Sequence, residues 1–133
     1  MSWKACAALA LMCIVTAGCG DGGPGVTDPT AGIVRVILAT PNADDGALIV
    51  TITGAPVSQV EPASSAYQVY SAQPDSLTTR VLLTGNITPG ELLRLHVPDV
   101  RRAGAYHAVV TQAASGATFA QQQVGSYSLT VAQ

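Results

Sequence analysis

Glu91-Leu92-Leu93-Arg94-Leu95-His96-Val97 alternates from end to end, with Leu93, Leu95 and Val97 on one side and Leu92, Arg94 and His96 on the other. A period of two sends successive side chains to opposite faces, so this segment reads as a β-strand with one face in a core and the other in water. Gly90 precedes it, and Pro98 stops it because proline has no N–H to give to a ladder. The same grammar repeats on both sides. Before it, residues 33–38 form a first strand, and 47–53 set Leu48, Val50 and Ile52 against Ile49, Thr51 and Thr53. Residues 57–61 make a short edge strand ahead of Pro62, 67–71 a strand with Tyr67 inward and Tyr70 outward, and 79–84 a strand with Val81 and Leu83 inward. After it, residues 105–112 carry Tyr106, Ala108 and Val110 inward, and Tyr127, Leu129 and Val131 form the inner face of the last strand.

Turn chemistry separates these segments. In Thr40-Pro41-Asn42-Ala43-Asp44-Asp45-Gly46, Pro41 fixes φ and Asn42, Asp44 and Asp45 bond to nearby backbone. Gly54-Ala55-Pro56, Gln73-Pro74-Asp75-Ser76, Gly85-Asn86 and Pro89-Gly90 mark further turns, while the small, polar stretch 113–123 is a hairpin or long loop with Phe119 as its one large apolar residue. No window repeats at helical spacing. About seven to nine short strands in roughly 100 residues predict an all-β fold, a two-layer antiparallel β-sandwich over 33–133.

The first 32 residues are of another kind. Met1 to Lys4 is a short positive segment, and Ala5 to Val15 is apolar all round but too short to span a bilayer as a helix, which needs about 20 residues. It fits the core of a secretory signal, with small residues at Ala17 and Gly18 suiting a signal peptidase. Residues 20–32 (GDGGPGVTDPTAG) are a linker: glycine keeps them flexible, and Pro24 and Pro29 forbid regular structure. No Gly-Lys-Ser/Thr follows, so the glycines make no phosphate loop.

Thr16-Ala17-Gly18-Cys19 resembles the processing box of bacterial lipoproteins, with Thr16 standing where that family prefers an aliphatic residue. The resemblance implies a cleaved signal peptide over 1–18, a diacylglycerol on the sulfur of Cys19, and a domain tethered by the linker over 19–32 to a membrane of the bacterial cell envelope. Two or more acyl chains hold a protein firmly, whereas one does so only marginally; as a coil, the linker holds the domain roughly 20 Å from the lipid. Ordinary secretion with a free Cys19 is the competing reading. Cys6 and Cys13 leave with the signal, so the mature domain has no disulfide and no thiolate ligand. Within the body, Ala103-Gly104-Ala105-Tyr106-His107-Ala108 resembles the tyrosine corner of immunoglobulin-like domains, in which a tyrosine early in a late strand bonds back to the preceding turn. Gly46-Ala47-Leu48-Ile49-Val50, Gly90-Glu91-Leu92-Leu93 and Tyr127-Ser128-Leu129-Thr130-Val131 make the body similar to the cohesin-like sandwiches of bacterial surface proteins.

Charge narrows the function classes. From Gly20 onward five arginines stand against eight acids, a formal charge of −3, and the only lysine is Lys4. A lysine-free, weakly acidic body has no basic footprint for nucleic acid. Catalytic and metal motifs are missing: serines are plentiful, but no Gly-x-Ser-x-Gly elbow occurs, and no pair drawn from Glu61, Glu91 and Asp99 is placed by spacing. His96 and His107 lie outward, facing each other if their connection is a hairpin and apart if it crosses between sheets. Asn42, Asp44 and Asp45 lack the spacing and closing glutamate of a calcium loop and are assigned to turn chemistry. Arg101-Arg102 is a small basic spot, and Tyr70 alone is a poor sugar platform. The expectation is therefore a non-catalytic binding or structural module with no cofactor and no metal. It is anchored through Cys19 and faces a protein or glycan ligand. A carbohydrate-binding module, or a metal-dependent accessory or enzymatic envelope protein, is the alternative.

Overall fold

The alternating segments become nine strands in a computed structural model, which describes residues 28–133. They are β1 (Gly32–Ala39), β2 (Asp45–Thr53), β3 (Gln59–Pro62), β4 (Gln68–Asp75), β5 (Thr78–Ile87), β6 (Gly90–Val97), β7 (His107–Ser115), β8 (Gln121–Gln122) and β9 (Ser128–Ala132). All pairings are antiparallel. One sheet has the order β3-β6-β1-β9 and the other β4-β5-β2-β7-β8. The two-layer sandwich expected from alternation is thus what the chain forms. The segments read from sequence as signal and processing box, with Cys19 and most of the expected linker, lie outside the described residues.

The core is the space between the sheets. Val34, Val36 and Leu38 of β1 and Leu93, Leu95 and Val97 of β6 face Leu48, Val50 and Ile52 of β2 and Val81, Leu83 and Ile87 of β5, all buried. Each such side chain contributes about 1.5–3 kcal/mol on leaving water. This layer is what allows a domain without disulfides to hold together.

Leu92 departs from its expected place. The β1–β6 register shifts between Val36 and Ile37, so Val36 faces Leu93 while Ile37 faces Glu91. Leu92 is the extra residue of that β-bulge, and it turns into the core beside Leu93 instead of outward with Arg94. The Gln73-Pro74-Asp75-Ser76 turn also shifts: β4 runs on through Pro74, and the chain reverses at Ser76 and Leu77. Proline is tolerated there because β4 is an edge strand whose register slips between Ala72 and Asp75.

Tyr106 is inward, as expected, but its partner differs from that of a tyrosine corner. Its hydroxyl donates to the Pro56 carbonyl at 2.6 Å, across 50 residues of chain. The preceding turn has already used its own groups: Asp99 accepts from the Arg101 N–H, and the Ala103 carbonyl accepts from the Tyr106 N–H. The bond therefore straps the β2–β3 crossing to the start of β7, both of which pass between sheets. Tyr106→Phe should cost about 1–2 kcal/mol, because it leaves a carbonyl without its donor while keeping the ring packed. Urea unfolding of the full chain checks this, with an unchanged midpoint as the contrary result.

Candidate functional site

The two outer faces of the sandwich are chemically unlike each other. On the four-stranded sheet, charged and polar side chains pair among themselves around one exposed isoleucine, Ile33. Arg94 Nε lies 2.8 Å from Glu91 Oε1, and His96 Nε2 lies 3.1 Å from Glu61 Oε1, off the axis of a good hydrogen bond. The Glu91 bond and charge hold the Arg94 guanidinium above its already high range. Exposed pairs of this kind add little stability; they keep this face in water.

The five-stranded sheet presents something else. Its registers align Tyr70, Leu82, Ile49 and Gln112 in one row across β4, β5, β2 and β7. Beside it runs a second row of Ala72, Arg80, Thr51 and Val109. Tyr70 is 61% exposed, Val109 54% and Leu82 39%. These side chains stand on the solvent side of strands whose other side is full, so no further core explains them. Between the rows lies a groove of about 530 Å³, lined by Ile49, Leu82 and Tyr70 with the hydroxyl-bearing Thr51 and Thr111 and the single charge of Arg80.

A smaller hollow of about 250 Å³ continues from Leu82 and Ile49 to Phe119. Phe119 is 85% exposed and sits at φ +58°, the left-handed region that a bulky residue rarely adopts. Two main-chain bonds pin it: its N–H donates to the Ser115 carbonyl at 3.0 Å, and the Ser115 N–H donates to the Ala120 carbonyl at 2.9 Å. The β7–β8 hairpin thereby holds an aromatic ring in water, at a backbone cost of order 1 kcal/mol, where glycine would sit without strain.

The residues singled out from sequence are scattered by the fold. His96 is on β6 in the four-stranded sheet and His107 on β7 in the five-stranded one, opposite Thr53, because the 98–106 connection crosses between sheets. Glu61 meets His96, while Glu91 meets Arg94 and Asp99 meets Arg101. The Arg101 Nε bond at 3.0 Å holds the Asp99 carboxyl below its usual range, so half of the Arg101-Arg102 spot is already committed within the domain. Among the described residues no helix is long and apolar enough to cross a membrane. Cys19 lies outside the described residues.

Tyr70 reads as a lone aromatic in sequence and turns out to be one end of a row. The available signal was the run Val81-Leu82-Leu83, where strict alternation leaves a large apolar side chain on the solvent face. Register between strands, which places Leu82 beside both Tyr70 and Ile49, is not written in any one segment. No protein-family model matches this chain, and neither a curated protein nor a solved structure matches it.

Proposed function

We propose that the mature chain is a non-catalytic binding module, held at the bacterial cell envelope by lipid on Cys19, that receives a partner polypeptide on the outer face of its five-stranded sheet. The observation that carries this is the continuous apolar strip from Tyr70 through Leu82 and Ile49 to the strained, exposed Phe119. Contiguous exposed apolar surface rimmed by polar side chains is the kind of face on which protein partners dock. The floor is mostly aliphatic with one tyrosine, which suits apolar side chains better than the flat faces of sugar rings. Arg80 is the only charge in the groove, so the complementary partner presents apolar side chains beside an acid.

The test uses the full-length protein in its own membrane, with a photoreactive residue at position 82 or, on the opposite face, at position 59. Position 82 should give a protease-sensitive adduct that Tyr70→Ala and Phe119→Gly each weaken, and position 59 should not. Phe119→Gly relieves backbone strain, so its loss of adduct is not a folding failure. Equal adducts from both faces, or none from position 82, would reject the docking face, and a protease-resistant glycan adduct would replace the polypeptide with a sugar. In the same cells Cys19→Ala should move the protein out of the membrane fraction and abolish fatty-acid labelling. Labelling that persists rejects the anchor.

A further inference from the structure

Asp45 stands at the first position of β2 and is 1% exposed. Its Oδ1 accepts from the Tyr127 hydroxyl at 2.5 Å. Its Oδ2 is buried and has no hydrogen-bond partner among the described residues. An ionised carboxylate offers about four lone-pair positions, and taking one out of water with so little compensation is strongly unfavourable. Tyr127 has no more to lend. It carries a single proton, for which Gln122 Oε1 at 2.6 Å competes, while Asn42 Nδ2 donates to its oxygen at 2.9 Å.

Asp44 places a second carboxyl group alongside. Its Oδ2 accepts from the Ser115 hydroxyl at 2.7 Å and its Oδ1 from the Gln122 amide at 3.4 Å. These bonds come from β7 and β8 and fix the position of its carboxyl group beside Asp45. Both aspartates line an open hollow of about 420 Å³ shared with Asn86, Gly85 and Gly116, and neither lysine nor arginine lines it. The other residues lining it, Ala43, Gly85, Gly116 and Ala117, are small. A Cβ on Gly46 would come within 2.5 Å of the Gly116 Cα, so two backbones meet here with no side chain between them.

From sequence these acids belong to turn chemistry; burial and the orphaned oxygen ask for more than a turn. We propose that this hollow is a calcium site, with the carboxylates of Asp45 and Asp44 as its charged ligands and the Asn86 amide oxygen, main-chain carbonyls and water completing the shell. No third carboxylate, histidine or cysteine gathers with them among the described residues, so the donors are oxygen alone, which selects a hard cation. Calcium accepts six to eight oxygens in irregular geometry, whereas magnesium demands an octahedron and holds its water. Two carboxylates suit the weak range of extracellular modules, roughly 10⁻⁴–10⁻³ M. The site stands at the loop end of the sandwich and does not depend on the docking face.

The test takes the full chain in detergent after treatment with a chelator, with terbium as the probe. Tyr127, hydrogen-bonded to Asp45, is placed to sensitise terbium luminescence. A saturable signal should appear, calcium should displace it at millimolar concentration, and magnesium at the same concentration should not. Calcium should also raise the thermal midpoint. Asp45→Asn should weaken terbium binding by roughly ten-fold or more and remove the calcium-dependent rise, while Asp75→Asn, an exposed acid on β4, should leave both intact. Should Asp45→Asn not fold, Asp44→Asn on the exposed loop should show the same loss. A wild-type midpoint unmoved by calcium up to roughly 10 mM overturns the proposal, as does terbium binding by folded Asp45→Asn or Asp44→Asn equal to that of the wild type.

Discussion

Gly54→Ala should destabilise the domain by roughly 2 kcal/mol or more, the largest loss expected from adding a single methyl group. Gly54 has φ +107°, where an L side chain is strained by about 1–3 kcal/mol before it touches anything. Here it also collides: a Cβ would sit 1.9 Å from the Ala105 carbonyl oxygen and 3.0 Å from its carbon. Main chain cannot swing aside as a lysine tip can. The β2–β3 connection would have to lift, taking with it the Gly54 N–H bond to the Leu77 carbonyl and the Pro56 carbonyl that Tyr106 holds. Gly90→Ala separates the two causes. Its φ is +125°, but a Cβ there meets nothing within 4 Å, so it should show the conformational cost alone. Gly104→Ala, with no positive φ and open space, should be close to neutral. Urea unfolding of the three full-length variants should rank them in that order. Equal losses at Gly54 and Gly90 would mean that the close approach to Ala105 contributes nothing.

That approach marks the limit of what the sequence reveals. Strand phases were legible because each segment alternates by itself: Leu48, Val50 and Ile52, then Val81 and Leu83, then Leu93, Leu95 and Val97 all face inward as their spacing demands. The sandwich follows, since so many one-sided strands without helices have only each other to pack on. What escaped were relations between segments. The bulge that turns Leu92 inward depends on how β1 runs beside β6. The Tyr106 partner lies 50 residues away, so a local motif suggested the right inward residue and the wrong acceptor. Asp45 has the composition of a solvated turn, yet it closes the end of β2 and is buried by Tyr127 and the β7–β8 hairpin. In each case the missing quantity was register or crossing geometry, which no single stretch of alternation encodes. The docking row was hidden for the same reason, because Tyr70, Leu82 and Ile49 come from three different strands.

Leu82 and Leu83 put both readings, core and docking face, to one experiment. They are neighbours in β5 with the same side chain, and the strand turns them to opposite faces. Leu83 is fully buried, pairs with Leu48 on β2 and Val69 on β4, and has no solvent into which a cavity could open. Leu83→Ala should therefore cost about 3 kcal/mol, within the range of roughly 2–5 for buried leucine. In a domain of this size that lowers the thermal midpoint by about 12–24 °C, a large share of the roughly 5–15 kcal/mol that holds such a domain folded. Leu82, at 39% exposure, rests on Tyr70 and Ile49 with water above it. Leu82→Ala should cost under about 1 kcal/mol, yet it removes the centre of the strip against which a partner would lie. Stability and capture should thus separate at adjacent positions. Leu82→Ala should unfold close to the wild-type midpoint and fail to form the adduct seen from a photoreactive residue at position 70. A conservative change that keeps volume inside, Leu83→Met, should lose less than about 1.5 kcal/mol and keep the adduct. If Leu82→Ala destabilised the isolated protein as much as Leu83→Ala, the outer row would be a second packed layer rather than a waiting surface. If Leu82→Ala left capture intact, the partner would have to lie elsewhere on the domain.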